Sequence, residues 1–160
     1  MNSEGRVAYL KNKGWECFKE RELEGAIYCF CRVTKLNKED PEGWEGLGYA
    51  EFENRDYEEA AYDFFEAVKL DPANAELWSM RGQAEYLYGD YEAAVDSLER
   101  ALDIDPDNAE TWYFIALCYA DDFKYEEAME CVDKALNIDP NLASADELKT
   151  EIEQELAREK

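Results

Sequence analysis

Five cysteines, forty carboxylates and no histidine define the chemistry open to this chain. Without histidine there is no His-based triad, no Cys–His dyad and no His-containing metal site. Cys29 and Cys31 invite a reading as ligands or a redox pair. Residues two apart on a helix point in quite different directions, however, and make a poor chelate. Cys17 and Cys118 are expected to be small core residues, and Cys29, Cys31 and Cys131 partly exposed, unpaired thiols. The stretch "DIDPDNAE" (103–110) alternates Asp103, Asp105 and Asp107 as a calcium loop does. Asn108 and Phe114 stand where such a loop needs Gly and Glu. Carboxylate pairs are frequent, as 40 acidic residues in 160 produce by chance. Glycine-rich phosphate loops and nucleophile elbows do not occur. The expectation is a protein that is not an enzyme, with no metal and no cofactor.

The elements that carry these side chains are written in a repeat. "RDYEEAAYDFFEAVKLDP" (55–72), "GDYEAAVDSLERALDIDP" (89–106) and "FKYEEAMECVDKALNIDP" (123–140) follow one another at 34 residues. The same spacing separates Trp44, Trp78 and Trp112, and likewise Ala60, Ala94 and Ala128, Ala67, Ala101 and Ala135, and Pro72, Pro106 and Pro140. Each unit contains two helical patterns. Asn74 is a candidate N-cap for the first, which runs through Trp78, Gly82 and Tyr86. Asp90 is placed to cap the second, where Tyr91, Ala94, Val95, Leu98, Ala101 and Leu102 form one apolar stripe. Gly82, Ala94 and Ala101 are small enough to let the two helices approach closely.

These residues resemble the tetratricopeptide repeat. Trp44-x-x-Leu47-Gly48 opens one unit, which Ala60, Phe64, Ala67 and Pro72 complete. Trp78, Gly82, Ala94, Leu98, Ala101 and Pro106 mark the next, with Arg81 where the family usually has Leu. Trp112, Ile115, Ala116, Tyr119, Ala128, Val132, Ala135 and Pro140 mark the one after. A weaker unit over 7–40 keeps Gly14, Ala26 and Phe30, but has Leu10 for Trp and Lys13 for Leu. Its Asp40-Pro41 comes three residues late, so the turn there is expected to differ in detail. The resemblance implies an all-α fold, a right-handed superhelical solenoid of about four helix pairs. Its parts are a tail (1–6), four repeats (7–40, 41–74, 75–108 and 109–142) and a capping helix (143–160). In that closing helix Ala145, Leu148, Ile152 and Leu156 make a narrow stripe that would shield the last apolar face.

The same resemblance implies a concave groove, lined by the first helix of each pair, that binds an extended peptide or a helix of a partner protein. Carried over position by position, the groove candidates are Trp15, Glu45, Tyr49, Phe52, Gln83, Tyr86, Tyr113 and Leu117. The aromatics are the kind of side chain that dominates interface energetics. Phe52 and Tyr86 could equally pack against neighbouring helices. Glu42, Glu45, Glu76 and Glu110 would draw Lys or Arg, although Glu42, Glu76 and Glu110 stand in first helical turns, where a carboxylate favours the dipole with or without a ligand. One subfamily grips a chaperone's C-terminal carboxylate with Lys, Asn, Asn, Lys and Arg. Here those places hold Lys11, Trp15, Gly46, Glu76 and Met80 in one frame, and Glu45, Tyr49, Met80, Glu110 and Phe114 in the next. A chaperone-tail adaptor is therefore not expected.

Charge points to the same partners. The net charge is −23, which should repel nucleic acid and anionic membranes and favour basic or apolar protein segments. It is uneven: residues 1–40 carry 8 basic against 7 acidic side chains, and residues 41–160 carry 9 against 33. Contact between copies through the array is the alternative use, giving a self-assembling homo-oligomer. An odd cysteine count, a first stretch with no unbroken apolar run and no long apolar segment together lead us to expect a cytoplasmic protein. The function expected is a non-enzymatic interaction scaffold.

Overall fold

A computed structural model describes residues 2–158, which contain nine α-helices and no strand. α1 (Ser3–Lys19) pairs with α2 (Leu23–Leu36), and α3 (Pro41–Glu53) with α4 (Tyr57–Leu70). α5 (Ala75–Tyr88) pairs with α6 (Tyr91–Ile104), and α7 (Ala109–Asp121) with α8 (Tyr125–Ile138). α9 (Ala143–Arg158) closes the array. Each second helix packs on the first helix of the following pair. First helices also touch one another (α1 with α3, α5 with α7, α7 with α9), whereas second helices are not in comparable contact. First helices therefore line one face of a solenoid and second helices the other. No described helix is long and apolar enough to cross a membrane.

Local chemistry repeats with the period. Asp40, Asn74 and Asn108, each 34 apart, accept backbone N–H bonds from Gly43, Leu77 and Thr111 at 3.1, 3.2 and 2.9 Å, which satisfies donors that the helix leaves orphaned. Asp90 caps α6 through Ala93 N at 3.2 Å. The turns inside the pairs place Arg21, Arg55, Gly89 and Phe123, again 34 apart, at φ 64°, 67°, 100° and 60°. Glycine holds this left-handed conformation without penalty; the other three do not.

The turn before α3 keeps the frame of the others, since the Trp44 indole donates to Lys38 O at 2.8 Å, as Trp78 does to Pro72 O at 3.0 Å and Trp112 to Pro106 O at 3.1 Å. It differs in its first backbone bond: Gly43 N donates three residues back to Asp40 O, whereas Trp78 N and Trp112 N donate four residues back to Asn74 O and Asn108 O. That turn is fixed by a carbonyl and an N-cap, and neither requires proline, so Lys38 serves in its place. Asp40-Pro41 is a cap followed by a first helical residue. The N-terminal stretch read as a tail is largely helical, because Asn2 caps α1 by accepting from Gly5 N at 2.8 Å. Met1 and residues 159–160 of the expected closing helix lie outside the described residues.

The buried apolar residues form three clusters, each of which spans a boundary between neighbouring pairs. Phe30, Phe64 and Leu98 are fully buried inside successive pairs. A Cβ at Gly82 would stand 2.5 Å from Leu98 Cγ and 3.0 Å from Ala94 O, so α5 and α6 approach as closely as the small residues suggest. Ala145, Leu148 and Ile152 of α9 are buried in the same cluster as Ile115, Ala116 and Val132, while Leu156 packs at its edge.

Cysteine placement also departs from expectation. Cys17 and Cys118 are buried, but so are Cys29 and Cys131, leaving Cys31 as the partly exposed thiol. Cys29 lies one position before Phe30, and Cys131 one before Val132, on the inner edge of an apolar stripe that is wider than the sequence pattern suggested.

Candidate functional site

The face built by the first helices is ordered in columns 34 residues apart. One column runs Trp15, Tyr49, Gln83, Leu117; a second runs Phe18, Phe52, Tyr86, Ala120; a third runs Glu42, Glu76, Glu110. The first column reaches across to the third. Trp15 Nε1 donates to Glu42 Oε1 at 2.9 Å, and the Tyr49 hydroxyl donates to Glu76 Oε1 at 2.6 Å. Lys11 Nζ adds a 2.7 Å ion pair with Glu42 and a 3.1 Å pair with Asp40. Further along, the Tyr86 hydroxyl donates to Asp121 Oδ2 at 2.9 Å, and Ser79 and Thr111 share a 3.0 Å hydroxyl contact.

The groove carboxylates consequently differ from one another. Glu42 and Glu76 hold neighbouring repeats together, a role distinct from both ligand attraction and the helix dipole. Glu110 is exposed, and its column partner would be Gln83, which donates to Ser79 Oγ instead. Glu45 is half-buried and has no ion pair or hydrogen-bond partner among the described residues. Burial raises its carboxyl above the ordinary range, and the charges of Glu76, Glu42 and Asp71 raise it further.

The aromatic candidates divide as well. Trp15 packs edge-on against Phe30 with centroids 4.9 Å apart, and lies 6.4 Å from Tyr49. Tyr49 stands 5.3 Å from Phe64; its hydroxyl is driven to a higher pKa by burial and by the bond to Glu76. Phe52 meets Tyr57 at 5.5 Å, and Tyr86 meets Phe114 at 5.8 Å. Tyr113 and Leu117 are half-buried, and Gln83 is buried. The structure thus brings Glu45, Tyr49 and the Glu76 carboxylate together at the second and third repeats. Gln83 lies beneath the surface as a support.

Polar residues inside the pairs are not evident from the sequence pattern. Glu51 Oε2 is shut off from solvent and finds no donor among the described residues. What faces it is the carboxyl of Asp63, and burial pushes both groups upward. A single proton held between them would replace their repulsion with a hydrogen bond. One repeat later the same places hold Glu85 and Ser97, joined at 2.5 Å, with Arg81 Nε on Glu85 at 2.8 Å. Aligning the columns Cys17, Glu51, Glu85, Tyr119 and Cys29, Asp63, Ser97, Cys131 would have shown that these positions face each other. The acidic run 103–107 has a local use too: Asp105 Oδ1 accepts from Asp107 N at 3.3 Å within the turn after α6.

Comparison with known proteins agrees with this architecture. Models of the tetratricopeptide repeat match residues 12–75 and 85–152. A crystal structure of MamA protein superposes with a TM-score of 0.84 at 22% identity, covering 93% of this chain and 87% of that one. MamA from Desulfovibrio magneticus RS-1 gives 0.79 at 23%, covering 97% of each. Cut9, in the APC/C hetero-tetramer Cut9-Hcn1, gives 0.79 at 23% over 91% of this chain and 29% of its own. At such identities the likeness speaks for the fold. No curated protein matches the sequence. With the period, the repeated turn and cap geometry, and family matches over both halves in agreement, the chain belongs to the tetratricopeptide repeat family.

Proposed function

We propose that the chain is a non-enzymatic protein-interaction scaffold whose concave face takes a basic or apolar peptide segment, with Glu45 as the centre of recognition. The observation that carries this reading is the state of Glu45: half-buried, without a cation, and surrounded by Glu42, Glu76 and Asp71. An incoming Lys or Arg would relieve that repulsion and gain a charge-assisted hydrogen bond in a partly desolvated place. Tyr49 and Phe52 supply apolar area beside it, and Tyr113 and Leu117 extend the surface toward α9. An acidic tail finds little to hold it. Lys11, the one residue matching a chaperone-tail clamp, is already taken by Asp40 and Glu42.

The test is selection from a random peptide display library against the full chain, followed by mapping of the bound peptide on backbone amide resonances. Enrichment of Lys or Arg beside apolar residues, with shifts around Glu45 and Tyr49, is the expected outcome. Predominantly acidic peptides, or shifts confined to the second helices, would contradict the reading.

A further inference from the structure

The outer face carries a second feature that the concave groove does not explain. Between α6 and α8 lies a cleft of about 500 Å³ whose lining includes Leu102, Trp112, Ile115, Tyr119 and Cys131. Glu99 and Asp103 of α6 and Glu127 and Glu130 of α8 stand around it, all four exposed. Lys134 is the cation in its wall, with Nζ 4.3 Å from the centre of the Trp112 ring. The indole face therefore already receives an ammonium.

Moving back 34 residues superimposes this cleft on the preceding one, between α4 and α6. There the Arg81 guanidinium lies 4.7 Å from the Phe65 ring and 5.7 Å from the Trp78 ring, with Nε bonded to Glu85. Lys69 Nζ is 5.2 Å from the same Phe65 ring. The counterparts in the α6–α8 cleft are Glu99 for Phe65, Asp103 for Lys69, Ile115 for Arg81, Tyr119 for Glu85 and Trp112 for Trp78. The α4–α6 cleft thus carries three cations from its own chain, Arg81, Lys69 and, in its wall, Arg100. Its neighbour keeps the tryptophan and has Lys134 as the counterpart of Arg100, but lacks the other two cations and has Glu99 and Asp103 in place of Phe65 and Lys69.

We infer that the α6–α8 cleft docks an arginine or lysine, flanked by an apolar residue, from an exposed basic segment of a partner protein. With Lys134 already on the Trp112 ring, the incoming cation is held by the carboxylates of Glu99, Asp103, Glu127 and Glu130, and its stem can lie along Leu102. Four carboxylates against one lysine favour a cation and exclude an acidic segment. This site is on the opposite face from Glu45 and stands or falls independently of the concave groove.

The experiment is a titration of the isotope-labelled full chain, followed by ¹⁵N–¹H NMR, with the acetylated and amidated peptide Leu-Arg-Leu-Arg and with its glutamate counterpart. The arginine peptide should shift the Trp112 indole N–H and the backbone of residues 99–103 and 127–134; the glutamate peptide should not. Glu99→Lys together with Asp103→Lys, both at exposed positions, should weaken these shifts by about tenfold or more in apparent affinity. Ile115→Arg with Tyr119→Glu would rebuild the neighbouring cleft's own cation and should abolish them; if that variant does not fold, the double lysine variant decides. Absence of shifts in the cleft, equal shifts with the glutamate peptide, or affinity unchanged by the two lysines would overturn the proposal.

Discussion

The hydroxyl of Tyr49 on α3 donates to the carboxylate of Glu76 on α5 at 2.6 Å, so an aromatic and an acid of the groove are committed to each other across a repeat boundary. Trp15 and Glu42 do the same one repeat earlier, at 2.9 Å. Tyr49→Phe removes the bond and keeps the ring. It should lower stability by about 1 kcal/mol in urea unfolding, and free Glu76 to strengthen binding of a basic peptide. Unchanged stability together with unchanged binding would show that the bond does not constrain the groove.

The buried pair Glu51 and Asp63 makes stability depend on pH. Burial raises both carboxyls in the folded chain, so the pair's contribution is fully present below the unfolded range near pH 4. It is lost as pH rises through the folded values. Glu51→Gln replaces the shared proton with a permanent N–H donor. Relative to wild type it should gain roughly 1–2 kcal/mol at pH 8, with the gain shrinking toward pH 4.5. A difference that is the same at both ends would contradict the shared proton.

Gly89 has a φ of 100°, and a methyl group added there would meet nothing within 4 Å, so Gly89→Ala isolates the backbone contribution. It should cost about 1 kcal/mol. Phe123, at φ 60° in the equivalent turn and largely exposed, should behave oppositely: Phe123→Gly should gain up to about 1 kcal/mol. Thermal or urea unfolding checks both, and a loss at Phe123 would mean that its edge contact with Tyr125 outweighs the strain.

Thiol reactivity should follow burial. Burial pushes Cys131 up to about 11 and Cys118 up to about 12, and raises Cys29 as well. Under native conditions a small thiol reagent should label Cys31 first and the other four only on unfolding. Cys31→Ser should be nearly neutral, while Cys131→Ser should cost roughly 1–2 kcal/mol. Fast native labelling of Cys131 would contradict its buried placement.

The period made the helices, their pairing and the caps at Asn74 and Asp90 legible in the sequence, because each depends on residue types recurring locally. What the sequence could not show is which polar groups meet across a boundary. Glu42 has two local readings, ligand attraction and helix dipole, and its actual partners, Lys11 and Trp15, lie on another helix. Cys29 and Cys131 look like stripe-edge residues until the neighbouring helix covers them. Lys38 has no proline-like property in the sequence, yet its carbonyl does what those of Pro72 and Pro106 do.

The central claim, recognition of a basic segment at Glu45, is tested most directly by the affinity of a library-selected peptide for wild type and for Glu45→Gln. That substitution removes the charge while conserving shape, and Glu45 is too deep in α3 for the helix dipole to account for the outcome. The account predicts binding weakened by about tenfold, roughly 1.4 kcal/mol, and wild-type binding that weakens with added salt while the variant's changes less. Equal affinity for the two proteins at every salt concentration would contradict it.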